Sequence, residues 1–236
     1  MNVALRPGWG LPHFVLAGLT AAVVAACPLG VLHSLARSAM PFGSAPIEPG
    51  ALAKQPEIPV APPFVLHAKD PADAQQATHC LAQAIYYEAG FQPVEGQRAV
   101  AQVVLNRVRD RNFPGTVCGV VYEGWRRRTG CQFSFVCDGS LWRRPPTEDE
   151  IASAEKIAID ALSGYVVAAV GTATHYHTWK IDPYWNDTLV KTAQIGDHIF
   201  YRWPGKAGQP QALSDDRYDG DELAVARRSP RQAMLG

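Results

Sequence analysis

A glutamate at the end of an apolar helical stripe is the residue best placed for acid–base chemistry. Leu81, Ala84 and Ile85 recur at helical spacing. Glu88 follows on the same face, and Gly90 stands where a C-cap glycine would end the helix. Helix carbonyl dipoles and burial both disfavour a negative charge there, so the pKa of Glu88 should rise. A protonated glutamate is a general acid, whereas the simpler alternative is a solvated residue at a helix end.

Two histidines form the next candidate group. His175 and His177 are two residues apart, so on a strand they face the same side. A pair on one face, with Tyr176 between them, is suited to lining a cleft, although a single histidine on an apolar side is usually structural. His175 and His177 with the distant His198 also fit a zinc-binding pattern, and this alternative stays open.

Five cysteines carry information about the redox environment. Cys27 lies in an N-terminal apolar run, which leaves four in the candidate domain. An even number behind an export-type N-terminus predicts disulfides. Of the three pairings we favour Cys80–Cys118 and Cys131–Cys137. A zinc site is the second interpretation, disfavoured because the sequence has no Cys-x2-Cys. We therefore expect neither a metal nor another cofactor.

The composition excludes some partners. The chain has 236 residues with 22 Lys+Arg and 22 Asp+Glu, so no net charge indicates nucleic acid. An apolar fraction of 47% is sufficient for a hydrophobic core. The length suits one domain with appendages.

The N-terminal region predicts export. The run from Phe14 to Leu32 is long enough to span a bilayer, and residues 1–37 are interpreted as a signal or anchor segment. An uncleaved anchor, a cleaved signal and a lipoprotein lipidated at Cys27 are the alternatives, in that order. Residues 38–70 are rich in Pro and Ala and predict a linker. Residues 205–236 are polar and rich in Gly, Pro and Asp, which predicts a disordered tail.

The remaining stretch, residues 71–204, predicts a mostly helical α+β domain. A helix pair is expected over about 71–110, a short helix over 116–123, and a longer helix that starts at a capping box formed by Thr147 and Glu150 and runs to about 163. Alternation of apolar and polar residues predicts short strands at 132–136, 173–178 and 199–203.

An ordered series of motifs between about residues 78 and 203 resembles the SleB-type cell-wall hydrolase family. The motifs are AIYYEA at 84–89, EGQ at 95–97, AVAQVVLNR at 99–107, FP at 113–114, CQFS at 131–134, DG at 138–139, HYH at 175–177, PYW at 183–185 and IGDHIFY at 195–201. Together they are more specific than any one of them. The resemblance implies a lysozyme-like, lytic transglycosylase-like domain with a small sheet, and it places Glu88 at the family's catalytic glutamate.

The expected activity is cleavage of peptidoglycan glycan strands in the cell envelope, with a membrane contact through the N-terminal segment. Glu95 and Asp138 are the candidate second carboxylates, but Glu95 suits a helix N-terminus and Asp138 a turn. A one-carboxylate lytic transglycosylase with Glu88 as general acid and base is therefore favoured. Tyr184 is a further candidate for stacking on sugars. The expected substrate-binding residues are Tyr87, Gln132, Ser134, His175, Tyr176, His177 and Trp185.

Three other classes remain as alternatives. The first is a zinc-dependent wall peptidase using His175, His177 and His198. The second is a cysteine peptidase using Cys131 or Cys137, which disulfide formation would exclude. The third is a peptidoglycan-binding module without activity. Chelation and substitution of Glu88 together discriminate among them.

Overall fold

A computed structural model describes residues 57–127 and 130–228 of the chain. All of these residues belong to the second of two compact units, residues 53–236. The predicted signal or anchor segment, Cys27 and the first part of the predicted linker lie outside the described residues. No helix within the described part is both long enough and apolar enough to cross a membrane.

The described chain is mostly helical with one small sheet, which confirms the predicted α+β class. The helices are α1 (Pro71–Ala89), α2 (Val94–Arg109), α3 (Val117–Val121), α4 (Ser140–Arg143), α5 (Glu148–Leu162) and α6 (Glu222–Arg227). The strands are β1 (His175–Thr178), β2 (Val190–Ile195) and β3 (His198–Arg202). Single 3-10 turns are formed by Ser134–Val136, Asn186–Thr188, Gly205–Gly208, Pro210–Ala212 and Asp215–Arg217.

Helix α1 is the centre of the main core. Its first turn is capped by the Asp70 side chain, which accepts from the Asp73 N–H at 2.9 Å. Its apolar face packs against α2, α3, α5 and α6. At the other end Gly90 is the C-cap, as predicted, and has φ −56°. Glycine is still required there because a Cβ would lie 2.6 Å from the Tyr86 carbonyl oxygen.

Helix α2 follows α1 after a four-residue turn, so the predicted helix pair is confirmed. One face of α2 joins the main core, and Ala99 and Val103 join a second cluster with Phe200 of the sheet. The Asn106 amide donates to the carbonyls of Gly171 and Ala173 at 2.9 and 2.8 Å. These bonds fix the segment that leads into β1 against the middle of the domain.

Helix α5 starts as predicted from the sequence. The Thr147 hydroxyl accepts from the Glu150 N–H, while the Glu150 carboxylate accepts from the Thr147 N–H at 2.8 Å. This reciprocal capping box satisfies two amides that the helix itself leaves free. The predicted short helix at 116–123 is also present as α3, with Thr116 as its N-cap.

The sheet is antiparallel with strand order β1-β3-β2. Its register pairs His175 with Tyr201 and Thr178 with His198. Strands β1 and β3 were predicted, whereas β2 was not. The predicted strand at 132–136 is wrong, because Ser134–Val136 form a 3-10 turn in which Cys137 N–H donates to the Ser134 carbonyl at 2.9 Å.

Two boundaries of the predicted domain are also wrong. On the N-terminal side, Phe64 is buried and Leu66 N–H donates to the Leu162 carbonyl at 2.9 Å, so the described end of the predicted linker is part of the domain. On the C-terminal side, the predicted disordered tail is ordered as far as residue 228. Glu222 is completely buried and accepts from the N–H groups of Val117 and Cys118, both at 2.7 Å.

The four cysteines of the domain form the two disulfides favoured from the sequence. Cys80 of α1 pairs with Cys118 of α3, with 5.2 Å between their Cα atoms. Cys131 pairs with Cys137 across the 3-10 turn, with 6.3 Å between their Cα atoms. The first bond joins two helices of the main core, and the second closes a surface loop.

Candidate active site

Glu88 lies in the last turn of α1 and is half-buried. Tyr176, in β1, donates its hydroxyl to Glu88 Oε2 at 3.0 Å. Burial raises the pKa of Glu88. The hydrogen bond from Tyr176 and the charge of Arg107 partly offset this rise, and the charge of Asp138 adds to it. The raised pKa favours the protonated acid, as the apolar helix end predicted.

The two oxygens of Glu88 have different surroundings. Oε2 is held by Tyr176, whereas Oε1 has no hydrogen-bond partner among the described residues and is not sealed from solvent. A proton carried on Oε1 is therefore not hydrogen-bonded to any of the described residues. One oxygen is fixed by the protein and the other is available for proton exchange, which is the arrangement a general acid needs.

Arg107 lies behind Glu88 in the last part of α2 and is almost fully buried. Its Nε donates to the Thr174 carbonyl at 2.7 Å. With the Gln132 amide oriented to face it, Gln132 Oε1 accepts from Nη1 and Nη2 at 3.1 and 3.3 Å. The guanidinium carbon also lies 6.0 Å from the centre of the Tyr176 ring. Arg107 thus connects the start of β1 with the segment that carries Gln132.

Arg107 was not among the site residues predicted from the sequence. It stands in the AVAQVVLNR motif, where a charged residue follows an apolar run inside a helix. Buried arginines are rare unless they are paired, so its position in that stripe was a usable signal. Burial lowers the pKa of Arg107, and Tyr176, Glu123 and Glu88 raise it again. The guanidinium remains charged, because arginine does not lose its proton in proteins.

The predicted histidines lie together on one face of the sheet, but their environments differ. His175 packs among aromatic rings, with Trp203 at 4.7 Å and Trp185 at 5.4 Å between ring centres. Burial, followed by the charge of Arg107, lowers the pKa of His175 to about 4. His177 contacts the Thr178 carbonyl and the Tyr201 hydroxyl, each at 2.9 Å. His177 is therefore held by the protein on both ring nitrogens.

His198 lies on the opposite face of the sheet. It is opposite Thr178 in the register, whereas His175 and His177 are opposite Tyr201 and Ile199. Because side chains alternate along a strand, His198 shares its face with Tyr176, whose ring centre is 5.0 Å away. The three histidines proposed as zinc ligands thus cannot meet at one ion. Within the described residues, no three His, Cys, Asp or Glu side chains are grouped to hold a metal.

The other predicted binding residues differ in their contacts and in their exposure to solvent. The Tyr87 ring stacks on Phe135 at 4.6 Å, and its hydroxyl donates to the Arg144 carbonyl at 3.1 Å. Gln132 faces Arg107, whereas Ser134 is exposed. Trp185 is half-buried and forms edge contacts with the rings of His177 and Tyr201, while the neighbouring Tyr184 is 96% exposed. The substrate-binding role of these side chains stays a prediction.

The two other carboxylates occupy the structural positions predicted for them. Glu95 stands in the first turn of α2 and lies 3.8 Å from Arg98. Asp138 Oδ1 accepts from the Ser140 N–H at 2.7 Å, as in an Asx turn. Burial alone would raise the pKa of Asp138, but hydrogen bonds from Ser140 and the charges of Arg143 and Arg144 lower it. Asp138 is therefore ionised, and its charge reaches Glu88.

The chain is similar in sequence to known cell wall enzymes. The family model described as cell wall hydrolase matches residues 91–201. The spore cortex-lytic enzyme of Oceanobacillus iheyensis is 35% identical over 128 residues, which are 54% of this chain and 42% of that protein. The spore cortex-lytic enzyme of Bacillus subtilis is 33% identical over 121 residues, which are 51% of this chain and 35% of that protein. The chain thus spans less than half the length of these relatives.

Two solved structures are also similar. The crystal structure of the catalytic domain of the Bacillus cereus SleB protein has 33% sequence identity, covers 58% of this chain and 95% of that chain, and gives a TM-score of 0.46. The catalytic domain of the germination-specific lytic transglycosylase SleB from Bacillus anthracis has 34% identity, covers 54% and 95%, and gives a TM-score of 0.45.

The chain carries a domain of the cell wall hydrolase family. This confirms the resemblance to SleB-type enzymes that the sequence motifs indicated. The family match begins at residue 91, three residues after Glu88, so the match itself does not include the candidate acid.

Proposed function

We propose that this protein cleaves peptidoglycan glycan strands as a lytic transglycosylase, with Glu88 as general acid and general base. The observation that carries the proposal is the asymmetric environment of Glu88, in which Tyr176 holds Oε2 and Oε1 is left for proton transfer. Membership of the cell wall hydrolase family and the similarity to spore cortex-lytic enzymes support the polymer as substrate.

In the first step, protonated Glu88 donates its proton to the glycosidic oxygen as the bond from that oxygen to C1 breaks. The positive charge that develops on the sugar ring lies next to a carboxylate that has just become ionised. The Tyr176 hydroxyl and the Arg107 charge both stabilise that ionised form, because each lowers the pKa of Glu88. Tyr176 and Arg107 therefore stabilise the Glu88 carboxylate after it has donated its proton.

In the second step, Glu88 accepts the proton of the sugar's own 6-hydroxyl while that oxygen bonds to C1. The proton balance of the acid is restored, and the product carries a 1,6-anhydro ring. This route requires one carboxyl group and benefits from the effective molarity of a tethered nucleophile. Hydrolysis would instead require a second carboxylate to activate water. Asp138 is the candidate, because it is ionised and its charge raises the pKa of Glu88.

Digestion of purified peptidoglycan in heavy-oxygen water tests the reaction. Mass spectrometry of the fragments should show 1,6-anhydro-muramyl ends without solvent oxygen. Labelled reducing ends would show hydrolysis, and loss of that activity in Asp138→Asn would then identify the base. EDTA should leave the rate unchanged, since the predicted histidines do not converge on one ion.

The cellular location is part of the same proposal. The substrate implies the cell envelope, and the two disulfides fit an oxidising compartment. We infer that the N-terminal segment takes the domain there as an anchor or signal. Fractionation of cells should find the full-length protein with membranes. A shortened protein in the soluble envelope fraction would mean that the segment is cleaved.

A further inference from the structure

Exposed arginines border a pocket that the proposed reaction does not use. The pocket has a volume of about 380 Å³ and opens between the loop after α3 and the end of α6. Pro114, Tyr122 and Val225 give it an apolar lining. It is distinct from the Glu88 site, because neither Glu88 nor Tyr176 lines it.

Three guanidinium groups border this pocket, those of Arg126, Arg127 and Arg228. All three residues are exposed, and the Arg126 guanidinium lies over the Trp125 ring at 4.8 Å. Within the described residues, no carboxylate lies within ion-pair distance of any of the three. The whole chain has no net charge, so among the described residues this is a local excess of positive charge.

The loop that carries two of these arginines is held at its base. Gln132 N–H donates to the Glu123 carbonyl at 3.0 Å, and Arg127 N–H donates to the Gly124 carbonyl at 2.8 Å. The Cys131–Cys137 disulfide closes the segment that follows this loop. Glu123 is the one acidic residue lining the pocket, but its Oε2 is sealed from solvent and its charge acts on Arg107.

The pocket and the Glu88 site share a wall. Gln132 bonds through its backbone to Glu123 of the pocket, and through its side chain to Arg107 behind Glu88. A polymer whose glycan strand is held at Glu88 therefore has this pocket within reach of its substituents. Arginine forks bind planar carboxylates through paired hydrogen bonds, and an apolar lining suits a peptide rather than a bare ion.

We propose that this pocket binds the carboxylates of the stem peptides carried by the wall polymer, so that the preferred substrate is peptide-substituted glycan. The inference rests on the proposed function and specifies its substrate. In the intact polymer the lactyl carboxyls of the strand are amide-linked to the peptides, so the sugars are uncharged and need no arginine cluster, whereas the peptides carry several free carboxylates. The charge of the pocket complements the peptides and not the strand.

The first test compares two substrates with the full-length protein. One is intact peptidoglycan. The other is glycan stripped of its peptides by an amidase, with the lactyl carboxyls that this cleavage exposes converted to uncharged methylamides. The double variant Arg126→Ala/Arg127→Ala should lose about tenfold in kcat/KM on intact peptidoglycan and change little on stripped glycan, since two charge-assisted hydrogen-bond donors are removed. Arg111→Ala is the matched control, because Arg111 is exposed and outside the pocket. Equal loss on both substrates, or on neither, would overturn the proposal.

The second test measures binding without turnover. The tripeptide L-alanyl-D-glutamyl-diaminopimelate is titrated into full-length Glu88→Gln by calorimetry, and heat of binding should disappear in Glu88→Gln combined with Arg126→Ala/Arg127→Ala. This result supports the pocket even if the cleavage products contradict the proposed reaction. No tripeptide binding, or binding of phosphatidylglycerol vesicles in its place, would show that the arginines serve another anion.

Discussion

The Tyr176 hydroxyl donates to Glu88 Oε2 at 3.0 Å and joins the end of α1 to a strand 88 residues further along the chain. The same tyrosine ring lies against Arg107 on one side and His198 on another. The position of the candidate acid is therefore fixed by the sheet as well as by its own helix.

Glu88→Gln should lower turnover by at least about a hundredfold, because it removes the proton donor and preserves the shape. Protonated Glu88 is the active acid, so the wild-type rate should fall as pH rises through its raised pKa. Initial rates on peptidoglycan between pH 4 and 9 measure both effects. Near-normal activity in folded Glu88→Gln would contradict the assignment.

The same variant should be more stable than the wild type at alkaline pH. A carboxyl whose pKa is raised by folding stabilises the native state at low pH, and this contribution is lost as pH rises. Glutamine carries no charge to bury, so its advantage should be seen above the raised pKa and vanish below the unfolded pKa. Thermal unfolding at pH 4 and pH 9 compares the two proteins. A constant difference at both values would show an effect unrelated to ionisation.

Arg107 is a positioning residue in the proposed reaction, and Arg107→Met should reduce kcat more than it changes KM. Removing its charge should also raise the pKa of Glu88 further, because Arg107 lowers that pKa. The alkaline limb of the rate profile should therefore move to higher pH. Arg107→Lys retains the charge and is the matched variant, in which the limb should stay in place. If the alkaline limb of the rate profile does not shift in Arg107→Met, Arg107 has only a structural role.

Ionisation of Glu222, in the C-terminal segment, makes the free energy of unfolding depend on pH. Burial raises its pKa to about 7, against hydrogen bonds from Cys118 and Val117 that lower it. The folded state holds this proton more tightly than the unfolded chain, so stability is full below about pH 4.5 and falls by roughly 3 kcal/mol up to about pH 7. Urea unfolding at pH 5 and pH 8 measures the fall, and Glu222→Gln should flatten it. A slope unchanged in Glu222→Gln would assign the pH dependence to other groups.

The two disulfides should differ in their contribution to stability. Cys80 and Cys118 are 38 residues apart, so replacing both by Ala should cost about 4 kcal/mol of unfolding free energy in the chain-entropy model. Cys131 and Cys137 are 6 apart, and replacing both should cost about 2 kcal/mol. Guanidinium unfolding of the two double variants compares them. The reverse order would show that the short surface loop depends on its bond for more than entropy.

Local pattern predicted much of the fold. The helix pair, the capping box at Thr147 and two of the three strands depend on residues close in sequence, and all of them were found. Strand β2 was missed because Val190, Ala193 and Ile195 do not alternate regularly with its polar residues, and an irregularity between Lys191 and Ala193 interrupts its pairing with β3. The false strand at 132–136 alternates like a strand, but its short disulfide loop and the turn to Cys137 impose another conformation.

Long-range bonds explain what the sequence did not reveal. The segment after residue 204 lacks an apolar repeat and is fixed by a buried carboxylate, Glu222, that caps amides about a hundred residues earlier. Arg107 was missed for a similar reason, since its partners Thr174 and Gln132 become neighbours only in the folded domain. The raised pKa of Glu88 could be predicted because the apolar helix face that buries it is local in the sequence.

Arg109 is fully buried at the end of α2, and its Nη1 donates to the Pro62 carbonyl at 2.9 Å and lies 3.4 Å from Asp215 Oδ1. One side chain thus contacts both the segment before α1, at Pro62, and the segment after β3, at Asp215. A module trimmed to the family match at 91–201 would lose both segments together with α1. A transplant of this domain into another protein must therefore carry residues 57–228, so that Arg109 keeps both of the segments that it holds.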